Sequence, residues 1–447
     1  MRTEFWAKVS GGQWVGADVP PLVCGISNDS RTLKLGECFL AIKDVRDGHD
    51  FVVDAEANGA SCAIVTHEVD GVSIPQLLVH SVLMAFGKIV KIHRNNFLGT
   101  VIGLTGSYGK TSTKDIMHLL FGPQSLATAD NLNNTLGVPL TLSKLNESND
   151  IGIIECGIDR FGEMDEILDV LNPDLGLVTG LTHVHASQFG SIEKIAEEKS
   201  KMLIHALNNK AMAIFPEECL RFKPFKEIEG KSMIVSNGKK AKNYITYVRQ
   251  ADGLMLTASE LGKEFYPLPT MSDGQVRNCA IGIFLARRLG VDRDTLIGRL
   301  MSWKPSKMRG EIINAGGKIV YLDCYNANPA SMVDALSNFK RMFQKARKTF
   351  IIGCMLELGD KSCEFHNLLG ESILPDKNDV VLLIGECADC IKHGMANSHS
   401  LCKNVYLFDN TPTAAKAIAT LATDTIFMKG SKFYALWNLL PVMGIEY

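Results

Sequence analysis

Between the apolar run Val101-Ile102-Gly103-Leu104 and the helix-compatible stretch Lys114 to Phe121, the chain reads Thr105-Gly106-Ser107-Tyr108-Gly109-Lys110-Thr111-Ser112-Thr113. Two glycines, a lysine and a hydroxyl in that order, set between a buried-type strand and a helix start, point to one kind of unit. It is a sheet strand running into a turn that cradles phosphate. Gly106 and Gly109 let the backbone come close to an anion, and the helix start presents unpaired N–H groups with a partial positive charge. Lys110 adds a full charge, and the Thr111 hydroxyl is placed to reach a magnesium ion. Leu104 stands five positions before Gly109, where the usual P-loop has glycine, so this is a shortened variant. The expected ligand is a nucleoside triphosphate.

A chain of 447 residues is long for one core, and at roughly 150 residues per domain it predicts about three. With 47 basic against 49 acidic residues, the charge gives no footprint for nucleic acid and no polybasic membrane patch. Any phosphate recognition must be local. The twelve cysteines lie scattered in apolar runs, as at Cys62, Cys156, Cys279 and Cys354, and read as reduced thiols packed as small hydrophobes. Cys387 and Cys390 form a C-x-x-C with only His393 nearby and no second pair, a poor fit to zinc or redox chemistry. Met1 to Gly12 contain Glu4 and Lys8 and no signal-peptide core, and no run of about eighteen apolar residues occurs. A cytoplasmic protein without membrane insertion is expected.

Short apolar runs at Cys38 to Ile42, Ser61 to Val65 and Gln76 to Val79, with a helical pattern from Val82 to His93, predict a small α/β domain over residues 1–98. Val101 to Leu104, Ile151 to Glu155 and Leu175 to Thr179 are continuous apolar runs of the kind found inside parallel sheets, within a nucleotide domain at 99–306. Residues 210 to 270 are mixed and turn-rich, Asn278 to Leu289 resumes a helix, and Trp303 to Ser306 reads as a linker. Beyond it, Lys318 to Leu322, Thr349 to Ile352, Val380 to Ile384, Asn404 to Phe408 and Thr425 to Met428 alternate with helices, predicting a second doubly wound sheet over 307–447. A helix is expected from Ser331 to Lys348, with Asn328 and Pro329 at its start and Arg341, Lys345, Arg347 and Lys348 at its end.

Glu155 closes an apolar run, where a magnesium carboxylate belongs. In the stretch Ser191 to Leu207, Lys199 falls on the apolar stripe of Ile192, Ile195, Ala196, Met202, Leu203 and Ala206, while Lys194 and Lys201 lie on a charged face with Glu197 and Glu198. A lysine so placed either reaches water with its head, finds a partner or loses its proton. A neutral amine can add carbon dioxide to give a carbamate, an oxygen ligand for magnesium. On chemistry alone, His183 and His185 are equal candidates to supply a nitrogen. Asn131 to Pro139 is a loop dense in amides, and Asp323 to Pro329 sets an acid, a phenol and amides between a strand end and a helix start, as suits sugar hydroxyls.

Taken together, Thr105 to Thr111, the amide loop, Glu155-Cys156-Gly157, His185 through Phe189-Gly190-Ser191 to Lys199, and Met308-Arg309 ahead of Asp323 resemble the Mur ligases of peptidoglycan assembly. Tyr325-Asn326-Ala327-Asn328-Pro329 and Met355-Leu356-Glu357-Leu358-Gly359 discriminate among members, and Asn28-Asp29-Ser30-Arg31 with Asp47-Gly48-His49-Asp50-Phe51 resembles the family's amino-terminal domain. The member most resembled joins D-alanyl-D-alanine to UDP-N-acetylmuramoyl-tripeptide, using ATP. The resemblance implies an α/β chain with an amino-terminal domain holding the uridine nucleotide, a central ATPase and a Rossmann-like closing domain, acting as a monomer. It implies ATP contacts at Thr105, Gly106, Ser107, Tyr108, Gly109, Lys110, Thr111, Ser112, Asn278, Arg309, Asp323 and Asn326. Asn278 would meet the adenine. Ser30, Arg31, Asn133 and Asn134 would meet the UDP substrate. Two magnesium ions would be held by Thr111, Glu155, His185 and a carbamylated Lys199, which selects His185 over His183. Lys110, Glu155, His185 and Lys199 form the implied catalytic set.

The chain departs from the family's pattern at Gly180, Ser187, Lys201, Gly274, Cys354 and Lys432, and from Phe433 to Leu440. Two other readings stay open here: a related ligase acting on a different amino acid or on a folate, and a nucleotide-gated binding protein without catalysis.

Overall fold

The computed structural model describes residues 1–183, 189–238, 243–398 and 402–447. It is an α/β protein with three mostly parallel sheets. By mutual contact it forms two compact units, one of Met1–Thr105, Phe121–Val178 and Lys199–Ile214, the other of Gly106–Leu120, Thr179–Glu198 and Phe215–Tyr447.

In the first unit, a five-stranded sheet runs in the order Gln13–Val15, Gln76–Leu78, Cys62–Val65, Cys38–Leu40, Ile26–Ser27. Only the first edge pairing is antiparallel. A second set of parallel strands runs Ser125–Ala127, Ile151–Glu155, Thr100–Thr105, Leu175–Val178, with Met212–Ile214 on Leu175–Leu177. Their apolar runs are continuous because helices cover both faces and neither side meets water. Two glycines let the helix Ile192–Asn208 lie close on this sheet. A Cβ at Gly176 would sit 2.8 Å from the Met202 carbonyl oxygen, and one at Gly103 2.8 Å from the Met202 Sδ. Lys199 therefore reaches the end of the strand that leads to the phosphate loop.

In the second unit, Tyr244–Gln250, Gly253–Ala258 and Gly262–Pro267 form an antiparallel meander. The carboxyl-terminal sheet runs Glu311–Ala315, Lys318–Asp323, Thr425–Lys429, Lys348–Gly353, Val380–Ile384, Val405–Phe408. Its edge hairpin turns on Gly316 and Gly317, both at positive φ as a two-residue turn of matching twist requires. Tyr321, Phe339, Phe350 and Phe427 stack in its core with neighbouring ring centroids 5.3–6.1 Å apart.

Four expectations need correction. The helix expected over Ser331 to Lys348 is Pro329–Met342, capped by Asn328 and ended by the non-helical Phe343. Lys348 instead opens a strand, buried, with its Nζ 3.0 Å from Asp376. The helix expected to begin at Lys114 begins at Lys110. Glu198, assigned to a charged face, is buried, because it lies three residues after Ile195 and four before Met202 and so shares the apolar stripe. Finally, Cys363 and Cys390 form a disulfide, where only thiols were expected. Gly370 and Gly394 bring the helices Ser362–Ile373 and Ala388–Asn397 into backbone contact, setting the two Cα atoms 5.5 Å apart. Cys387, the other half of the C-x-x-C, stays free.

Among the described residues no helix is long and apolar enough to cross a membrane.

Candidate active site

Thr105 and Glu155 end parallel strands in the first unit, and Asp323 and Lys429 end parallel strands of another sheet in the second, each at the kind of edge where α/β sheets bind ligands. In the second unit the phosphate loop follows Thr105 and bends through Gly106 (φ 156°) and Gly109 (φ 77°). A Cβ at Gly106 would fall 2.1 Å from the Thr179 Oγ1, so no other residue fits. The Ser107 N–H donates to the Gly180 carbonyl at 2.8 Å. The Thr179 hydroxyl donates to the Tyr108 carbonyl at 2.5 Å. Lys110 folds back on its own loop, its Nζ donating to the Gly106 carbonyl at 2.9 Å. That contact places the ammonium over the cradle.

Arg309 donates to the Thr111 hydroxyl at 3.0 Å, and its guanidinium lies 4.0 Å over the Tyr325 ring. Asn278, 4% exposed on the helix Asp273–Arg288, faces Gly109: a Cβ there would lie 3.7 Å from its amide atoms. Among the described residues the Asn278 Oδ1 and the Ser107 Oγ are buried without a hydrogen-bond partner. Such groups are costly unless a ligand completes them. Asp323 pairs in register with Lys429, whose Nζ donates to the Asp323 carboxylate at 2.8 Å and the Asn326 carbonyl at 3.1 Å. Lys429 is 1% exposed. The Asn326 Oδ1 accepts from the Ala327 N–H at 2.8 Å.

In the first unit Glu155 is 2% exposed. Its Oε1 accepts from the Asn133 Nδ2 at 3.0 Å, and its N–H donates to the Thr128 hydroxyl at 2.9 Å. The Gly157 N–H donates to the Asn133 carbonyl at 2.7 Å, so the amide loop and the carboxylate form one rigid piece. Asn134 serves a turn, its Oδ1 accepting from the Gly137 N–H at 2.8 Å. Lys199 is 3% exposed, with its Nζ 3.5 Å from the Thr105 hydroxyl. Lys201 pairs with Asp165 at 2.6 Å on the outer face, as expected. Among the described residues no three His, Cys, Asp or Glu side chains cluster as a metal cage.

The amino-terminal motifs are also ordered. Ser30 is buried, and Arg31 extends outward as a two-pronged donor to Asp29 at 2.9 and 2.7 Å. That bond holds the Asp29 carboxyl below its usual range. His49 is pinned between the Asp47 carboxylate at 2.6 Å and the Thr66 N–H at 2.9 Å, and stacks on His67.

Residues 104–286 match the Mur ligase middle domain, and residues 308–432 the Mur ligase glutamate ligase domain. The UDP-N-acetylmuramoyl-tripeptide–D-alanyl-D-alanine ligase of Bacillus subtilis (strain 168) is 30% identical over 83% of this chain and 82% of its own. The protein is a member of the Mur ligase family. The ligase of the same name from Escherichia coli (strain K12) is 28% identical over 97% of this chain and 96% of its own. A crystal structure of MurF from Acinetobacter baumannii superposes with a TM-score of 0.83 at 26% identity, covering 98% of both chains. The MurF ligase of Thermotoga maritima in complex with ADP gives 0.75 at 26% identity, over 94% of this chain and 96% of its own.

Within this Mur ligase, the second unit gathers Thr111 with Arg309, Gly109 with Asn278, and Asp323 with Asn326. The first unit gathers Asn133 with Glu155, and Thr105 with Lys199. His185 and Ser187 lie outside the described residues. His183 is described; its ring lies 4.9 Å from that of Phe365, and burial, then the charges of Lys361 and Arg221, lower its pKa. Lys429 was absent from the expected site set. Its signal was available: a charged residue closing the wholly apolar run Ile426-Phe427-Met428, the same argument that singled out Glu155.

Proposed function

We propose that this Mur ligase joins D-alanyl-D-alanine to the terminal carboxylate of UDP-N-acetylmuramoyl-tripeptide, with ATP cleaved to ADP and phosphate, in cytoplasmic synthesis of peptidoglycan precursors. What carries the reading is that the likeness to ligases of that name runs through both chains almost end to end. The division into a substrate domain at 1–98, an ATP domain at 99–306 and a closing domain at 307–447 accords with the two matched stretches.

In this reading the loop N–H groups and Lys110 hold the triphosphate and draw charge from the γ-phosphoryl group as the substrate carboxylate attacks it. The product is an acyl phosphate; the dipeptide amine then adds to the acyl carbon, phosphate leaves, and the amine loses its proton. Asn278 orients the adenine through its amide. Arg309, now on Thr111, is placed to turn to the nucleotide, and Asp323 and Asn326, braced by Lys429, meet the ribose. Ser30, Arg31 and Asn133 take the uridine substrate, while the bonds of Asn134 within its own turn support a structural part.

The oxygen donors fit magnesium, which favours one or two carboxylates plus phosphate over an all-protein cage. Thr111, Glu155, His185 and Lys199 would hold two ions, which supply electrostatic stabilisation of the transferring phosphoryl group when bound. For Lys199 to do so its amine adds carbon dioxide and releases a proton, leaving a carbamate. Its burial on an apolar stripe supports that form, since it favours a neutral amine over an ammonium.

Purified protein should release phosphate from ATP only when the UDP-tripeptide and D-alanyl-D-alanine are both present. Equal release with a single amino acid or glutamate in place of the dipeptide would redirect the reading to a related ligase. Lys199→Ala should lose nearly all turnover and regain part with a small added carboxylate; unchanged turnover would rule out the carbamate.

A further inference from the structure

Tyr108 is the only aromatic residue of the phosphate loop, and the reaction as read leaves its side chain without a task. It is fastened by its backbone to Thr179 and by its side chain to an ion pair, Glu218 with Arg277. Its hydroxyl donates to the Glu218 Oε1 at 3.0 Å. The Arg277 guanidinium lies 5.3 Å over its ring, with Nη1 2.6 Å from the same Glu218 oxygen and 3.5 Å from the Tyr108 hydroxyl. Three separate segments thus converge: the loop, the turn Glu217–Arg221 and the helix Asp273–Arg288. The ring also fills the space above Gly180, where a Cβ would fall 2.4 Å from Cζ. A side chain at 180 and the tyrosine ring at 108 exclude one another.

The Arg277 side chain is 12% exposed, and its Nε has no partner among the described residues. Burial opposes its charge, yet Tyr108 and Glu218 outweigh that and raise its pKa. A cation is held here because the ring face and the carboxylate together compensate it. Burial likewise raises the Tyr108 pKa, so its hydroxyl keeps the proton it donates to Glu218. A loop with glycines at positive φ on both sides of Ser107-Tyr108 is free to adopt other shapes, and binding a triphosphate would have to freeze that freedom. Pinning Tyr108 removes it beforehand. Arg277 also directly precedes Asn278, so the same anchor ties the phosphate cradle to the adenine side.

We propose that Tyr108, Glu218 and Arg277 are positioning residues that preset the phosphate loop and Asn278 as one piece for the nucleotide, with the Tyr108 ring standing where a side chain at position 180 would otherwise stand. The proposal rests on the reading that this loop binds ATP. It concerns ground-state order, so its signature is selective for one substrate.

The test combines titration with a fluorescent ADP analogue and steady-state kinetics on the whole enzyme. Tyr108→Phe and Arg277→Met should each raise the KM for ATP and the Kd for the analogue about five- to tenfold, as expected for losing a charge-assisted bond, with kcat held within about twofold. The KM values for the UDP-tripeptide and the dipeptide should not move, and Arg277→Lys should recover part of the loss. Gly180→Ala should harm nucleotide binding more beside Tyr108 than in a Tyr108→Ser background, a coupling that cancels the backbone strain common to both. Nucleotide affinity within about twofold of wild type in both Tyr108→Phe and Arg277→Met, below what one such bond contributes, would overturn the proposal. So would a loss shared equally by all three substrates. Tyr108→Phe removes only a hydroxyl, so it decides the matter even if Arg277→Met fails to fold. A wild-type protein that binds no nucleotide would overturn the ATP reading itself; one that binds, with variants that bind equally, overturns the positioning alone.

Discussion

The phosphate loop and the segment Asp323 to Pro329 each follow the carboxyl end of a parallel strand, yet they are held in different ways. The loop has several supports: two glycines, bonds that close within four residues, from Lys110 to the Gly106 carbonyl and from the Thr113 hydroxyl to the Gly109 carbonyl at 2.7 Å, and partners at Thr179, Gly180 and Glu218. The other segment depends on Lys429, which reaches its carboxylate and a carbonyl from over a hundred residues further along the chain. A short motif can therefore lose one function and keep its fold, whereas a segment braced by one buried ion pair couples its function to the stability of the sheet below it.

The largest effect expected from this contrast is at Lys110. Lys110→Ala removes the charge proposed to face the triphosphate and should lower turnover about a thousandfold. Unfolding stability should change by less than about 1 kcal/mol, since the bond of its Nζ to the Gly106 carbonyl closes within the loop itself. A large drop in chemical-denaturation midpoint would show that Lys110 braces more than its own loop.

Lys429→Met should do the reverse. It leaves the Asp323 carboxylate uncompensated and should cost about 3 kcal/mol of stability by denaturant titration. Replacing Asp323 by asparagine as well should recover much of that stability, because a carboxylate is no longer stranded. Turnover should stay low, because the proposed ribose contact is altered. A double variant no more stable than Lys429→Met would show that the pair does not brace the segment.

Legibility divides along the same line. Val101 to Leu104, Ile151 to Glu155 and Val380 to Ile384 could be read as strands because a parallel sheet buried on both faces needs unbroken apolar runs. The turns at Gly106 and Gly109 could be read because a strand, two glycines and a helix start follow one another in the sequence. The end of the helix at Met342 could not be read, since Gln344, Lys345, Ala346, Arg347 and Lys348 all favour helix and no glycine or proline marks the stop. What ends it is tertiary: Lys348 pairs with Asp376, and its N–H donates to the Asp379 carboxylate at 2.8 Å. Arg309 reaches Thr111 across 198 residues, so its place came from the family resemblance rather than from spacing. The Cys363–Cys390 pairing was hidden for the same reason, because spacing alone does not determine which thiols meet.

The smallest effect expected concerns His366, buried under the segment Met355 to Gly359, and it carries the contrast into pH dependence. Its Nε2 accepts from the Met355 N–H at 2.9 Å and its Nδ1 faces the Ser362 carbonyl at 2.6 Å, so the neutral ring satisfies both. Burial lowers its pKa from the ordinary value of 6.5, although the Ser362 carbonyl acts in the other direction. The folded protein then binds this proton less readily than the unfolded chain. Stability is therefore full above the unfolded pKa and is lost as pH falls through and below 6.5. His93, His118, His183 and His205 are lowered too, mainly by burial, so the wild-type slope is a sum. His366→Gln keeps an acceptor for the Met355 N–H but cannot titrate, and should flatten the fall in denaturation midpoint between pH 7 and pH 5. The Met355 segment, like the one at Asp323, hangs on one buried side chain from outside its own turn, whereas the phosphate loop has bonds of its own beside its outside partners. The pH slope of nucleotide binding should accordingly be the same in His366→Gln and wild type; a change there would mean that the two kinds of region are coupled.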